Sequence, residues 1–197
     1  RRFPDLQRRV GGYNIDALVP GDGAGGAVPN LAHLLVGSEG TLAFSTAIEL
    51  KLSEIPPNKV LGVCHFPDFR AAMAATRHIV KLGPAAVELV DRTMIDLARQ
   101  IPMFRATVDR FVSGQPQALL LVEFAGEDGE EQLRGLRQLV ELMAELGFPG
   151  GVVEAVDPAF QSAIWEVRKS GLNIMMSMKG DGKPISFIED CAVRLED

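Results

Sequence analysis

The residues best suited to hold a ligand lie in Val36-Gly37-Ser38-Glu39-Gly40-Thr41-Leu42. Two glycines remove the Cβ atoms that would keep a ligand off the backbone. Ser38 and Thr41 add hydroxyls to exposed backbone N–H groups, a donor set suited to a phosphate or a ribityl chain. The same residues also make an ordinary turn, because an apolar run ends here and a segment rich in β-branched residues follows over 43–52. Either way the pattern reads as a tight glycine turn feeding a strand. Gly21, Gly23 and Gly26 spell G-x-G-x-x-G. Pro29 follows almost at once, so the helix that a dinucleotide fingerprint must open is missing. His33, His65 and His78 have no metal-ligand spacing, and His65, inside an apolar strand, reads as a satisfied core residue. Cys64 and Cys191 are far apart and read as free buried thiols, as in a reducing cytosol.

The elements that carry these residues become regular from Lys59 onward. Val60–Phe66 reads as a buried strand, and Asp68 can cap a helix carrying Phe69, Ala72, Met73, Thr76, Ile79 and Val80 at helical spacing. Gly83-Pro84 stops it. Ala85–Val90 is a second strand, Arg92–Gln100 a short helix, and Ala118–Phe124 a third strand. Glu130–Leu146 is the clearest helix, with Leu133, Leu136, Val140 and Met143 on one face. Gly151–Val156 is a fourth strand, Pro158 opens a further helix, and Ile185–Glu189 would be a last strand. The order predicts an α+β fold, a ferredoxin-like antiparallel sheet with helices on one face. The 197 residues and 47% hydrophobic content suffice for a core. A net charge of −6 argues against a nucleic-acid surface. No apolar run reaches the about 18 residues of a membrane span.

Gly11-Gly12-Tyr13-Asn14-Ile15-Asp16-Ala17-Leu18, followed by Asn30–Leu42 with its Gly-Ser-Glu-Gly-Thr-Leu, resembles the end of the FAD-binding domain of the FAD-linked oxidases of the vanillyl-alcohol oxidase type. The rest of the chain resembles that family's C-terminal cap domain. The resemblance implies an incomplete FAD-binding segment over 1–55, itself α+β, and a cap domain over 56–197 that is incomplete at its C-terminus. It departs from the family in lacking a glycine-rich pyrophosphate loop and a C-terminal histidine-rich metal motif, so a general base and any metal site are expected outside this chain. Ala43 and Phe44 stand where a glycine and a β-branched residue are usual.

The implied function is oxidation of a 2-hydroxy acid of the glycolate, D-lactate or D-2-hydroxyglutarate class by hydride transfer to FAD. The alternative is a cap that only packs against other domains, without activity or cofactor binding of its own. By the resemblance, Gly12, Tyr13, Gly37, Ser38, Glu39, Gly40 and Thr41 lie beside FAD. Arg168, in Ile164-Trp165-Glu166-Val167-Arg168, would hold the substrate carboxylate in bidentate geometry. Trp165 and Arg168, three apart, share a helix face. Glu88 and Asp91 match an acidic pair of relatives, although Asp91 is more simply a helix cap. Lys179 and Lys183 read as solvated loop residues, Asp190 resembles an acid of the family, and the methionines 175, 176 and 178 read as packing. Expected partners are the substrate, the remaining FAD-binding half and an iron–sulfur module of the same protein, with no nucleic acid and no transmembrane segment. The implied location is the cytoplasm, with a peripheral position on the inner face of a membrane also compatible.

Overall fold

The computed structural model describes residues 12–18, 30–176, 178 and 193–195. The chain divides into two units, Arg1–Ser53 with Ser186–Asp197, and Glu54–Ile185. In the first, a 3-10 turn at Ile15–Leu18 and a short helix α1, Ala32–Leu35, precede the glycine turn. Asn14 Nδ2 fastens the two, donating to the carbonyls of His33 (3.2 Å) and Val36 (3.1 Å). The expected strand after the turn is not formed: residues 42–53 are exposed and carry no ladder among the described residues. The alternation is there, with Leu42, Phe44, Ile48, Leu50 and Leu52 all exposed at even positions. Alternation alone does not make a strand, since an extended segment needs a neighbouring edge for its backbone groups.

Among its described residues the second unit forms a four-stranded sheet of order β2-β3-β1-β4, all pairs antiparallel. Its strands are β1 Asn58–Phe66, β2 Ala86–Asp91, β3 Ala118–Gly126 and β4 Val152–Ala155. Helix α2, Phe69–Ile79, joins β1 to β2, and α5, Gly129–Glu145, joins β3 to β4. Between β2 and β3 come α3, Arg92–Gln100, and α4, Pro102–Phe111. Helices α6, Pro158–Lys169, and α7, Gly171–Met176, follow β4. This is the expected α+β antiparallel architecture.

One part of the expectation needs correction, because helices cover both faces of the sheet. On one face Val60, Cys64, Phe66, Leu120, Val122 and Phe124 pack against α2 and α5. On the other, Leu61, Val63, Val90, Leu119 and Leu121 pack against α3, α4, α6 and α7. The reason lies in β3: Leu119-Leu120-Leu121-Val122 has no polar alternate, so both of its faces must be kept from water. The two crossover helices do share one face; the added helices close the other.

Local signals set most element ends. Asp68, Asp91, Asp128 and Asp157 each accept a bond from a backbone N–H in the first turn of the helix that follows. Gly83, at φ +70°, ends the segment after α2. On α5 the buried stripe is Gln132, Gly135, Leu136, Leu139 and Met143, with Leu133 partly buried beside it, so Leu139 rather than Val140 faces the sheet. Helices α4 and α7 were not anticipated by periodicity. The expected strand over 185–189 lies outside the described residues.

Candidate functional site

Two clusters carry the residues singled out from sequence, one in each unit. In the first, the turn at Gly37–Thr41 is built by its own backbone. Ser38 N–H donates to the Leu35 carbonyl (3.1 Å) and Thr41 N–H to the Ser38 carbonyl (3.0 Å). Gly37 (φ +81°) and Gly40 (φ +76°) take the left-handed conformation, and Glu39 follows at φ +50°. Thr41 Oγ1 donates to the Ser38 carbonyl and lies 2.9 Å from the Tyr13 hydroxyl. A Cβ on Gly37 would come within 3.6 Å of the Gly12 carbonyl. Gly12, Tyr13, Gly37, Ser38, Glu39, Gly40 and Thr41 are therefore brought together.

The turn's fit to a polar cofactor segment can be tested on its donors. The N–H groups of Gly37, Glu39 and Gly40 have no acceptor among the described residues, and nothing lies within 4 Å of where a Cβ on Gly40 would be. These N–H groups, interrupted only by the bonded Ser38 N–H, suit a phosphate or polyol.

The second cluster is made by α6 lying on the sheet. Asp157 caps the helix and Pro158 occupies its first turn, while Gln161, Ile164 and Val167 are buried beneath it. Gln161 Nε2 donates to the carbonyls of Lys59 (2.9 Å) and Val156 (3.0 Å). Beside this buried row, Trp165 Nε1 donates to Glu123 Oε2 at 2.9 Å. Arg168 Nη2 donates to Glu88 Oε2, also at 2.9 Å. Ala86 pairs with Glu123 and Glu88 with Leu121, so both carboxylates project from the same sheet face. Trp165 and Arg168 do share a face, each engaging a carboxylate from the strands below.

Two cavities flank these pairs. One, of about 430 Å³, is lined by Lys59, Glu123, Gln161, Trp165, Glu166 and Lys169 among others; Lys59 Nζ stands 3.7 Å from Glu123 Oε1 there. The other, of about 360 Å³, has Arg168 and Asp91 in a wall otherwise made by Phe69, Leu89, Met94, Leu172 and Met175 and their neighbours. Arg168 Nε is sealed from solvent and has no hydrogen-bond partner among the described residues. The guanidinium is thus only partly satisfied. Asp91 serves as the expected cap, accepting the Met94 N–H at 2.8 Å.

Other candidates are structural. His65 Nδ1 lies 3.1 Å from the Gly151 carbonyl, and Nε2 3.0 Å from the Phe111 carbonyl and 3.1 Å from the Ser113 nitrogen. It ties β1 to the end of α4. Cys64 is buried and free, and burial pushes its thiol up to about 12. Met175 packs against the core, while Met176 is half exposed. Lys179, Lys183, Asp190 and Cys191 lie outside the described residues. Among the described residues no group of His, Cys, Asp and Glu could hold a metal ion, and no helix is long and apolar enough to cross a membrane. Sequence reasoning missed Glu123 and Lys59. The available signal was a single carboxylate inside the otherwise apolar strand β3.

Comparison with known proteins adds the following. A family profile described as FAD linked oxidases, C-terminal domain, matches residues 55–197. The D-2-hydroxyglutarate dehydrogenases of Haemophilus influenzae and Escherichia coli are each 30% identical over 97% of this chain and 19% of their own length. The mitochondrial D-lactate dehydrogenase (cytochrome) of Arabidopsis thaliana is 31% identical over 73% of this chain and 24% of its own. The chain spans about a fifth of the length of the D-2-hydroxyglutarate dehydrogenases it matches.

Proposed function

The chain belongs to the FAD-linked oxidases, and on that premise we propose that it is the cap, with the end of the FAD-binding domain, of an FAD-dependent dehydrogenase acting on a 2-hydroxy acid. The domain boundary of this reading falls near residue 55. The substrate is of the glycolate, D-lactate or D-2-hydroxyglutarate class. Relatives carrying the names D-2-hydroxyglutarate and D-lactate dehydrogenase support that choice.

The observation that carries the reading is Arg168. It stands in the wall of a cavity, already bonded to a carboxylate, with a guanidinium nitrogen still unpartnered. A planar guanidinium matches a carboxylate at two points and fixes its orientation. Arg168 accordingly binds the substrate carboxylate and presents the neighbouring CH–OH carbon in one orientation. The N–H groups of Gly37, Glu39 and Gly40 would hold a polar part of FAD, with Tyr13 and Thr41 bracing the turn. When bound, FAD supplies the hydride acceptor. The general base is contributed from outside these residues, as are the rest of the FAD-binding domain and an iron–sulfur module.

Substitution in the complete enzyme tests this. Arg168→Gln should lower kcat/KM for the hydroxy acid by about 100-fold or more, as expected for loss of a charge-assisted pair of bonds. An unchanged kcat/KM for glycolate, D-lactate and D-2-hydroxyglutarate alike would remove the carboxylate role. A second reading concerns the chain alone. The exposed apolar row from Leu42 to Leu52 favours a piece that has neither activity nor bound flavin until other parts of the protein are present. Purifying the 197 residues with added FAD and finding a retained flavin spectrum after desalting would overturn that.

A further inference from the structure

We propose that Glu88 is an internal stand-in for the substrate carboxylate, an anion that occupies Arg168 between turnovers and sets how tightly the site binds its substrate. This rests on the reading of Arg168 as the carboxylate receptor. Glu88 reaches Arg168 from β2, eighty residues away in sequence, and engages it through one oxygen on one nitrogen. A free carboxylate can do better, because guanidinium N–H groups point in parallel pairs. Glu88 leaves Arg168 Nε without a partner among the described residues, and because that nitrogen is sealed from solvent an incoming carboxylate reaches it only as Glu88 or the Arg168 side chain shifts.

The pair is also placed so that it can be exchanged. Its side chains are 38% and 43% exposed, so water weakens their attraction. The cavity beside Arg168 has mainly apolar walls at Phe69, Leu89, Met94, Leu172 and Met175. The carboxylate in that wall, Asp91, is committed to the N-terminus of α3. Among the described lining residues there is no second cation. An arriving carboxylate therefore meets one positive charge already neutralised by Glu88. It must either displace Glu88 from Nη2 or bind next to it, and both cost affinity through like-charge repulsion.

Glu88→Gln removes that charge and keeps an oxygen that can accept the Arg168 hydrogen bond. Like charges about 5 Å apart in a partly wet site repel by an amount worth roughly three- to tenfold in affinity. In the complete enzyme, Glu88→Gln and Glu88→Ala should both lower KM for the acid that is turned over, tested separately with glycolate, D-lactate and D-2-hydroxyglutarate, by about three- to tenfold. The change should sit in KM rather than kcat and shrink as salt is raised. A residue that merely aims Arg168 behaves differently: Gln would be silent and Ala would raise KM. That pattern, or a KM raised by both variants, overturns the proposal. Arg168→Gln, alone and combined with Glu88→Gln, separates the two levels. If it raises KM while Glu88→Gln does not lower it, only the stand-in role falls. If Arg168→Gln leaves KM unchanged, or the enzyme oxidises none of the three acids, the underlying reading falls and this proposal with it.

Discussion

The Arg168–Glu88 pair should contribute little to stability, and its weakness can be measured. At 2.9 Å two unit charges attract by roughly 1.4 kcal/mol in bulk water. Ordering two flexible side chains and screening by salt reduce this, and exposed pairs of this kind give about 0.2–1 kcal/mol in double-mutant cycles. Exposures of 38% and 43% put the pair in that range. The cycle consists of Arg168→Gln, Glu88→Gln and the double variant, each unfolded in urea. Trp165 is the chain's only tryptophan and sits three residues from Arg168, so its fluorescence follows the sheet unit. The expected coupling is about 0.5 kcal/mol, falling toward zero at about 1 M salt. A coupling above about 2 kcal/mol that ignores salt would mean a structural tie with a desolvated guanidinium. Such a tie could not be exchanged for a ligand, and the reasoning about both Arg168 and Glu88 would be refuted.

Two further outcomes follow from the core. Gly135→Ala on α5 places a Cβ 2.8 Å from Phe124 Cδ1 and 3.0 Å from Cε1. Despite a helix-propensity gain of about 1 kcal/mol, the overpacking should leave a net loss of about 1–2 kcal/mol in urea unfolding followed by circular dichroism; equal or greater stability would show that the ring yields freely. Cys64, raised to about 12 by burial, should resist a thiol reagent at pH 8 in a Cys191→Ser background until denaturant is added. Because the folded state holds this proton more tightly than the unfolded chain, the stability present below about pH 9 declines as pH rises toward 12, by at most about 4 kcal/mol; rapid native labelling at pH 8 would contradict the burial.

What the sequence made legible was what depends on neighbours along the chain. Asp68 and Asp91 announced helix starts because a cap acts over three residues, and Pro158 marked the start of α6. The glycine turn was legible because positive φ angles call for glycine at Gly37 and Gly40. Helix α4 escaped although Pro102 occupies its first turn, because only Val108 and Phe111 are buried and mark too short a stripe. Helix α7 escaped because it opens on a glycine directly after Ser170. Helices on both faces were foreshadowed by the unbroken apolar run of β3, which periodicity alone does not assign to either face.

The site's pairings span 80 and 42 residues, and no local pattern encodes them. What the sequence does hold is Glu88, flanked by apolar residues in β2, and Glu123, the one carboxylate in the otherwise apolar β3. Such a group is costly to bury and must find a donor from whatever covers it. The sheet register sets the two carboxylates on one face, and the helix laid across that face supplies an indole and a guanidinium. The buried row Gln161, Ile164 and Val167 fixes the height and rotation of α6. The Trp165–Glu123 bond, with a carboxylate side chain only 13% exposed, fixes it further from one side. Arg168 would thereby stay at the wall of its cavity if Glu88 were displaced as proposed. An exchangeable cation on a rigid mounting is what orientation of a small anionic substrate demands. The proposed division of labour follows burial: Glu123 is shielded and positions the helix, while Glu88, half exposed, is the partner to be exchanged.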